Sequence, residues 1–269
     1  MKLSVTNLAF PRGDVLKFAP QLVQSGITAV EIAPTMLWPN APNVNSEVRE
    51  FASRAQDLGL QVSAIQSLLY GHTEFQLFDR TSWPSFRNHI RGMLRVAKEL
   101  GAQVAVFGSP KNRIRGNIPE SDAHVIAADF FHSIIPYLEE MGIVLTLEPN
   151  APAYGADYLV YYRDVIELVE LVDSSYIQPQ LDTGCLDMVN DDSVRGIFQR
   201  SPAHVHVSAA GLAAPPAGVD HLAISNALHQ SGYVGWVTLE MLQQAADSAM
   251  TTLSCCRWLA SVYGETSSR

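Results

Sequence analysis

Four residues in the second half of the sequence share one setting: each has a side chain able to bind a metal ion, and each ends a short apolar run. Glu148 closes the run from Val144 to Leu147, Asp182 the run from Ile177 to Leu181, His206 the run from Ala203 to Val205, and Glu240 the run from Trp236 to Leu239. Apolar runs of this length read as strands, and Pro149 stops the ladder just past Glu148, so that carboxylate is delivered at a strand's carboxyl end. Three carboxylates brought together repel one another, and a divalent cation is the natural compensation. Oxygen ligands with a single imidazole favour Mn2+, Mg2+, Co2+ or Zn2+ over thiolate-seeking metals, with Mn2+ the first expectation. Taken singly, each residue has a plainer reading, since aspartate readily caps a following helix and a histidine in an apolar strand can simply pack. The conjunction on four successive strands makes one bound divalent metal ion the expectation.

Those residues need elements that make the strand ends converge. A junction recurs along the chain in which an amphipathic segment ends at glycine and a strand follows: Ser25-Gly26-Ile27, Leu58-Gly59-Leu60, Leu100-Gly101-Ala102, Met141-Gly142-Ile143 and Ser231-Gly232-Tyr233. Glycine suits the left-handed position that closes a helix, so each junction reads as helix, cap, strand. Completing the pattern predicts strands at 3–7, 28–32, 61–66, 103–107, 143–148, 177–182, 203–207 and 235–240. Helices are predicted near 14–25, 45–58, 82–100, 121–141, 158–173, 191–200, 219–231 and 244–262. Helical spacing of Ile90, Met93, Leu94 and Ala97, and Ser121 opening the next segment, illustrate the signals used. Strict alternation of strand and helix requires a parallel sheet with right-handed crossovers. Eight such units across residues 1–269 predict a single-domain α/β protein, one closed (β/α)8 TIM barrel. No glycine-rich phosphate fingerprint follows the first strand, which turns the reading away from an open dinucleotide-binding sheet. The segment 67–81 has neither pattern and reads as an active-site loop.

Composition narrows the function classes. The chain has 269 residues, 47% of them hydrophobic and 17% charged, with a formal net charge of -9. Nothing here resembles a polyanion-binding surface, so nucleic acid is not an expected partner. Cys185, Cys255 and Cys256 do not form a spaced disulfide framework. No apolar segment approaches membrane-spanning length and Pro11, Arg12 and Asp14 interrupt any secretory core, so a cytoplasmic protein without membrane contact is expected.

At this point the residues resemble a known family. Glu-Ile-Ala-Pro-Thr at 31–35, Leu-Glu-Pro-Asn at 147–150, Leu-Asp-Thr-Gly at 181–184, His-Val-His at 204–206 and Gly-Tyr-Val-Gly-Trp-Val-Thr-Leu-Glu at 232–240 span nearly the whole chain in order. They resemble the sugar phosphate isomerases/epimerases of the xylose isomerase-like barrel superfamily, which also holds tagatose 3-epimerase-like enzymes, inosose dehydratases and endonuclease IV. The resemblance implies that Glu148, Asp182, His206 and Glu240 bind one divalent metal and that Glu148 and Glu240 flank the substrate carbon as an acid/base pair. It implies an isomerase or epimerase of a sugar or sugar derivative, working through an enediolate that the metal stabilises. A dehydratase of a keto-polyol passes through the same intermediate and stays open, as does a barrel that binds sugar without turning it over. A trinuclear zinc endonuclease needs more ligands and a basic groove than this chain supplies. Two departures stand out: Cys185 replaces the histidine that many epimerases carry three residues after the metal-binding aspartate, and Ser208-Ala209-Ala210-Gly211-Leu212 replaces an acidic and an arginine contact. Both turn the expectation away from tagatose-like substrates.

Further polar residues are candidates for the substrate wall. Asn7, Glu31 and Gln66 close the first three predicted strands, where structural hydrogen bonding competes with substrate contact. His72 lies in the long loop, and Lys111 and Arg113 follow the fourth strand, offering an anion clamp as the alternative to a solvated loop. Asn150, Tyr154 and Cys185 lie close to predicted metal ligands. The expected partner is a small-molecule sugar, and a homo-oligomer is left open.

Overall fold

The computed structural model describes residues 1–41, 46–191, 194–243 and 248–264. Eight strands, β1 (Lys2–Thr6), β2 (Ala29–Ile32), β3 (Gln61–Ile65), β4 (Val104–Phe107), β5 (Val144–Leu147), β6 (Ile177–Asp182), β7 (His204–Val207) and β8 (Trp236–Leu239), pair in sequence order and close into a barrel. All pairings are parallel, and β8 returns to β1 with Lys2 opposite Trp236. The predicted (β/α)8 architecture is therefore the observed one.

Alternation along the strands separates two environments. Val5, Val30, Ile65, Leu145, Leu181, Val205 and Val237 belong to the apolar core under the outer helices. Between them stand buried Thr6, Glu31, Thr146, Gln180, His204 and Thr238. Glu31 on β2 bonds His204 and His206 on β7, strands that are not neighbours, so these contacts run across the barrel's interior. On the arc of β3 and β4 a separate cluster of Ala64, Val104 and Val106 fills the space. One arc of the interior is thus polar and the other apolar.

The outer layer comprises α1 (Ala19–Gln24), α2 (Pro34–Leu37), α3 (Ser46–Asp57), α4 (Trp83–Leu100), α5 (Glu120–Met141), α6 (Tyr162–Val172), α7 (Thr183–Val189), α8 (Val194–Gln199), α9 (His221–Gln230) and α10 (Ser248–Tyr263). Helix α5 ends at Gly142, whose φ of 68° places it in the left-handed region that glycine enters without a Cβ clash. Two differences from the sequence reading have local causes. The helix predicted over 14–25 is split into a 3-10 segment over Val15–Phe18 and α1, because Pro20 lacks the N–H that an uninterrupted helix would need and is tolerated only in the first turn. The helix predicted over 191–200 is α8 alone, residues 192–193 lying outside the described set, and α7 precedes it because Asp182 accepts from Cys185 N and caps a new helix at once. The start predicted at 244 also lies outside the described residues. Among the described residues, no helix is long and apolar enough to cross a membrane.

Candidate metal centre

Strand geometry delivers four side chains that could hold a metal ion to one end of the barrel. Asp182 is the last residue of β6 and pairs in register with His206 on β7, while Glu148 and Glu240 each follow the last residue of β5 and β8. One ligand atom from each of Glu148, Asp182, His206 and Glu240 lies within 4.8 Å of the others, and all four residues are buried. His206 Nδ1 stands 2.9 Å from Glu148 Oε1 and 3.2 Å from Glu240 Oε2, yet directs a hydrogen bond at neither.

Glu31 explains that orphaned nitrogen. One of its oxygens lies 2.8 Å from His206 Nε2 and the other 2.7 Å from His204 Nε2. An ionised carboxylate only accepts, so both imidazoles donate from Nε2, and in the neutral ring His206 Nδ1 is left as a lone pair facing carboxylate oxygens. A lone pair opposed to two carboxylates calls for a cation between them, and a histidine whose second nitrogen is fixed by a carboxylate is the usual arrangement of a metal ligand. The donor set therefore fits a divalent ion.

Asp182 and Glu148 are held as firmly. Asp182 Oδ1 accepts from Cys185 N at 2.9 Å and from Ser208 Oγ at 2.7 Å, and Ser208 Oγ accepts in turn from Gly184 N. Glu148 Oε1 accepts from Gln180 Nε2 at 2.8 Å, and Oε2 from Asn150 Nδ2 at 3.0 Å. A Cβ at Gly108 would overlap Glu148 Oε2, so the carboxylate occupies space that only glycine leaves open.

Without a metal, protons must balance this charge. Burial, then repulsion from Glu148 and Glu240, pushes the Asp182 carboxyl up to about 7. Burial works against the charged His206 ring, but Glu31 and Glu240 outweigh it and hold the imidazole well above its ordinary range. Burial likewise opposes ionisation of Glu31 and Glu148, yet His206, joined by His204 at Glu31, keeps both below the usual carboxylate value.

A cavity of about 270 Å³ opens onto the cluster, bordered by Glu148, Asp182 and Glu240. Of the predicted substrate contacts, Gln66, Asn150, Tyr154 and Cys185 line it. The Cys185 thiol is pushed up by burial and presents a neutral wall. Tyr154 Oη accepts from Gly211 N at 2.9 Å, tying the loop after β5 to the segment after β7, and burial raises its phenol to about 12. The structure does not bring Asn7, Glu31, His72, Lys111 or Arg113 to the wall of this cavity. Asn7 accepts from Ala33 N at 2.8 Å and joins the ends of β1 and β2. Glu31 lies one layer below, behind His206. Arg113, predicted as half of an anion clamp, is fully buried because its guanidinium donates to Glu148 O at 2.7 Å and Asn150 Oδ1 at 2.8 Å, bracing the loop that carries the ligand. His72 and exposed Lys111 line a neighbouring cleft.

Sequence reasoning passed over Gln180, His204, Ser208 and Gly108. A signal existed for the first two: each sits two positions before a ligand, and the period of a strand puts such residues on the same inward face. Ser208 and Gly108 carried none, since both belong to loop ends whose contacts come from distant strands.

A family model described as xylose isomerase-like TIM barrel matches residues 20–260. No curated protein gives a significant sequence match. Among solved structures, the chain is similar to the 3-keto-D-glucoside 4-epimerase YcjR from E. coli, at 18% identity and a TM-score of 0.79, covering 97% of this chain and 99% of that one. It is similar to D-psicose 3-epimerase from Clostridium cellulolyticum H10, at 15% identity and a TM-score of 0.79 over 98% and 99% of the two chains. The IolI protein, solved with a bound zinc atom, gives 17% identity and a TM-score of 0.78 over 99% and 100%. At these identities the likeness establishes the fold.

Proposed function

Because the chain belongs to the xylose isomerase-like TIM barrel family, we propose that it is a divalent-metal-dependent isomerase or epimerase of a sugar or sugar derivative. The observation that carries this reading is the buried quartet with His206 Nδ1 unpartnered between Glu148 and Glu240. Sugar epimerases among the structural neighbours support the substrate class. Glu148, Asp182, His206 and Glu240 are the residues that would hold the ion, Mn2+ first by donor type, and such an ion would supply Lewis acidity, polarising a carbonyl and acidifying the C–H beside it.

The protein's own groups account for the proton. Glu148 and Glu240 both border the cavity, so each carboxylate is open to substrate. Gln180 and Asn150 each give one hydrogen bond to Glu148, fixing its direction and favouring the ionised form that accepts a proton. A proton taken and returned at the neighbouring carbon isomerises the sugar; taken by one carboxylate and returned to the opposite face by the other, it inverts the centre. The cavity's volume of about 270 Å³ lies just under the roughly 300–1,000 Å³ of drug-sized sites, which suits a single sugar ring.

The test is solvent-deuterium exchange into a panel of ketoses and keto-sugars by the Mn2+-loaded protein. Chelation should abolish exchange. Glu148→Gln should lower it by about 10²–10⁴-fold while metal analysis still finds the ion bound. Exchange at the wild-type rate in that variant would refute the acid/base assignment, and an enone chromophore in place of exchange would identify a dehydratase.

A further inference from the structure

The cavity over the metal ligands is not closed on the side of the β3 and β4 loops. There it meets a second cleft of about 530 Å³, and Ser67, Ser109 and Pro110 border both. The larger volume therefore lies beside the smaller one. Ser67 and Ser109 both adopt left-handed backbone, with φ of 56° and 50°, which non-glycine residues hold only where the surroundings impose it.

The cleft is built and held open. Asn112 Nδ2 donates to the carbonyls of His72 at 2.6 Å and Phe75 at 2.7 Å, and Leu77 N donates to Asn112 O at 2.8 Å, so the loop after β4 is pinned to the long loop after β3. His72 packs against Phe75 and His89 with ring centroids 5.2 and 4.4 Å away. Within this frame Tyr70 borders the cleft with 74% of its surface exposed. Exposed Lys111 adds an ammonium with no protein partner among the described residues. An aromatic ring left uncovered beside a lone donor suits a sugar or aryl ring, which stacks its apolar face on the tyrosine and offers a hydroxyl to the amine. A phosphate is the poorer fit: Arg113 is turned away and buried, and Glu74 stands 2.8 Å from His72, adding negative charge at the rim.

We propose that this cleft is a second subsite for the ring joined to the reacting sugar, making the preferred substrate a glycoside or disaccharide over a free monosaccharide; this rests on the sugar reading above. The experiment is isothermal titration of the Mn2+-loaded protein with one-ring probes, D-glucose and methyl β-D-glucopyranoside, and two-ring probes, cellobiose and phenyl β-D-glucopyranoside. Two-ring probes are expected to bind at least about tenfold tighter, with the gain lost in Tyr70→Ala and reduced in Lys111→Ala while one-ring affinity stays within about twofold. Both substitutions fall on exposed side chains, and circular dichroism checks the fold. Equal affinity for one- and two-ring probes overturns the subsite and leaves the sugar reading intact. A two-ring advantage that survives Tyr70→Ala, or a variant that weakens both classes alike, also overturns it. Failure of every probe to bind, together with no deuterium exchange into any keto-sugar, overturns both readings.

Discussion

Glu31 carries no chemistry towards the cavity, yet the geometry of the candidate metal centre turns on it. Its two oxygens take one N–H from each of two buried imidazoles, and only that arrangement leaves His206 Nδ1 free to face the carboxylates. Glu31→Gln keeps the shape but puts an amide donor against one imidazole donor. The expected result is a loss of about 10–100-fold in Mn2+ affinity by calorimetry, with about 1–3 kcal/mol lost in urea unfolding of the metal-free protein for the unmet buried pair. Unchanged Mn2+ affinity would mean that Glu31 only fills space. Arg113 teaches the complementary lesson: a cation in a loop invites a solvent-facing reading, but a planar fork of donors also suits backbone carbonyls, and here it meets Glu148 O and Asn150 Oδ1.

At the scale of elements, the strand ends do the positioning and the first residues beyond them set tolerance. Gly108 follows β4 by one position and lies under the Glu148 carboxylate. Gly108→Ala must push Glu148 aside, since the added carbon and Oε2 cannot share that space. Deuterium exchange should fall by about 10²-fold for a displacement near 1 Å, with a stability cost of about 1–3 kcal/mol and an unchanged far-ultraviolet spectrum. A variant exchanging at the wild-type rate would show that Glu148 has room to move. The strands were legible because apolar runs and polar ends repeat at the barrel's own period. The first helix was legible only over its second half, because the missing N–H of Pro20 keeps the α-helix from starting before Ala19.

For the whole molecule, charge at the barrel's end couples folding to pH and metal. Asp182 holds its proton up to about 7 when folded against an ordinary value of 3.8, so between those limits the folded chain binds more protons and loses stability as pH rises. His206 acts in the same sense: its raised value gives stability that is full below about 6.5 and lost as pH climbs through the folded value. Glu31 and Glu148, held low, contribute above about 4.5 and lose their contribution as pH falls. The chelated protein should therefore show its highest Tm near pH 5 to 6 and a decline towards pH 9. Mn2+ at about 100 times its Kd should add about 2.7 kcal/mol and flatten the alkaline decline, as it replaces the protons; a decline untouched by metal would refute the coupling. The sequence by itself determined the alternation of eight strands and helices, and with it the fold and the strand-end identity of Glu148, Asp182, His206 and Glu240, because periodicity and ligand type are local properties. Only the tertiary structure decided that Glu31 reaches His206 across 175 positions, that Arg113 turns inward, and that the loops after β3 and β4 frame a second cleft. Those contacts arise from closure of the barrel and join strands and loops far apart in the chain, so no local pattern encodes them.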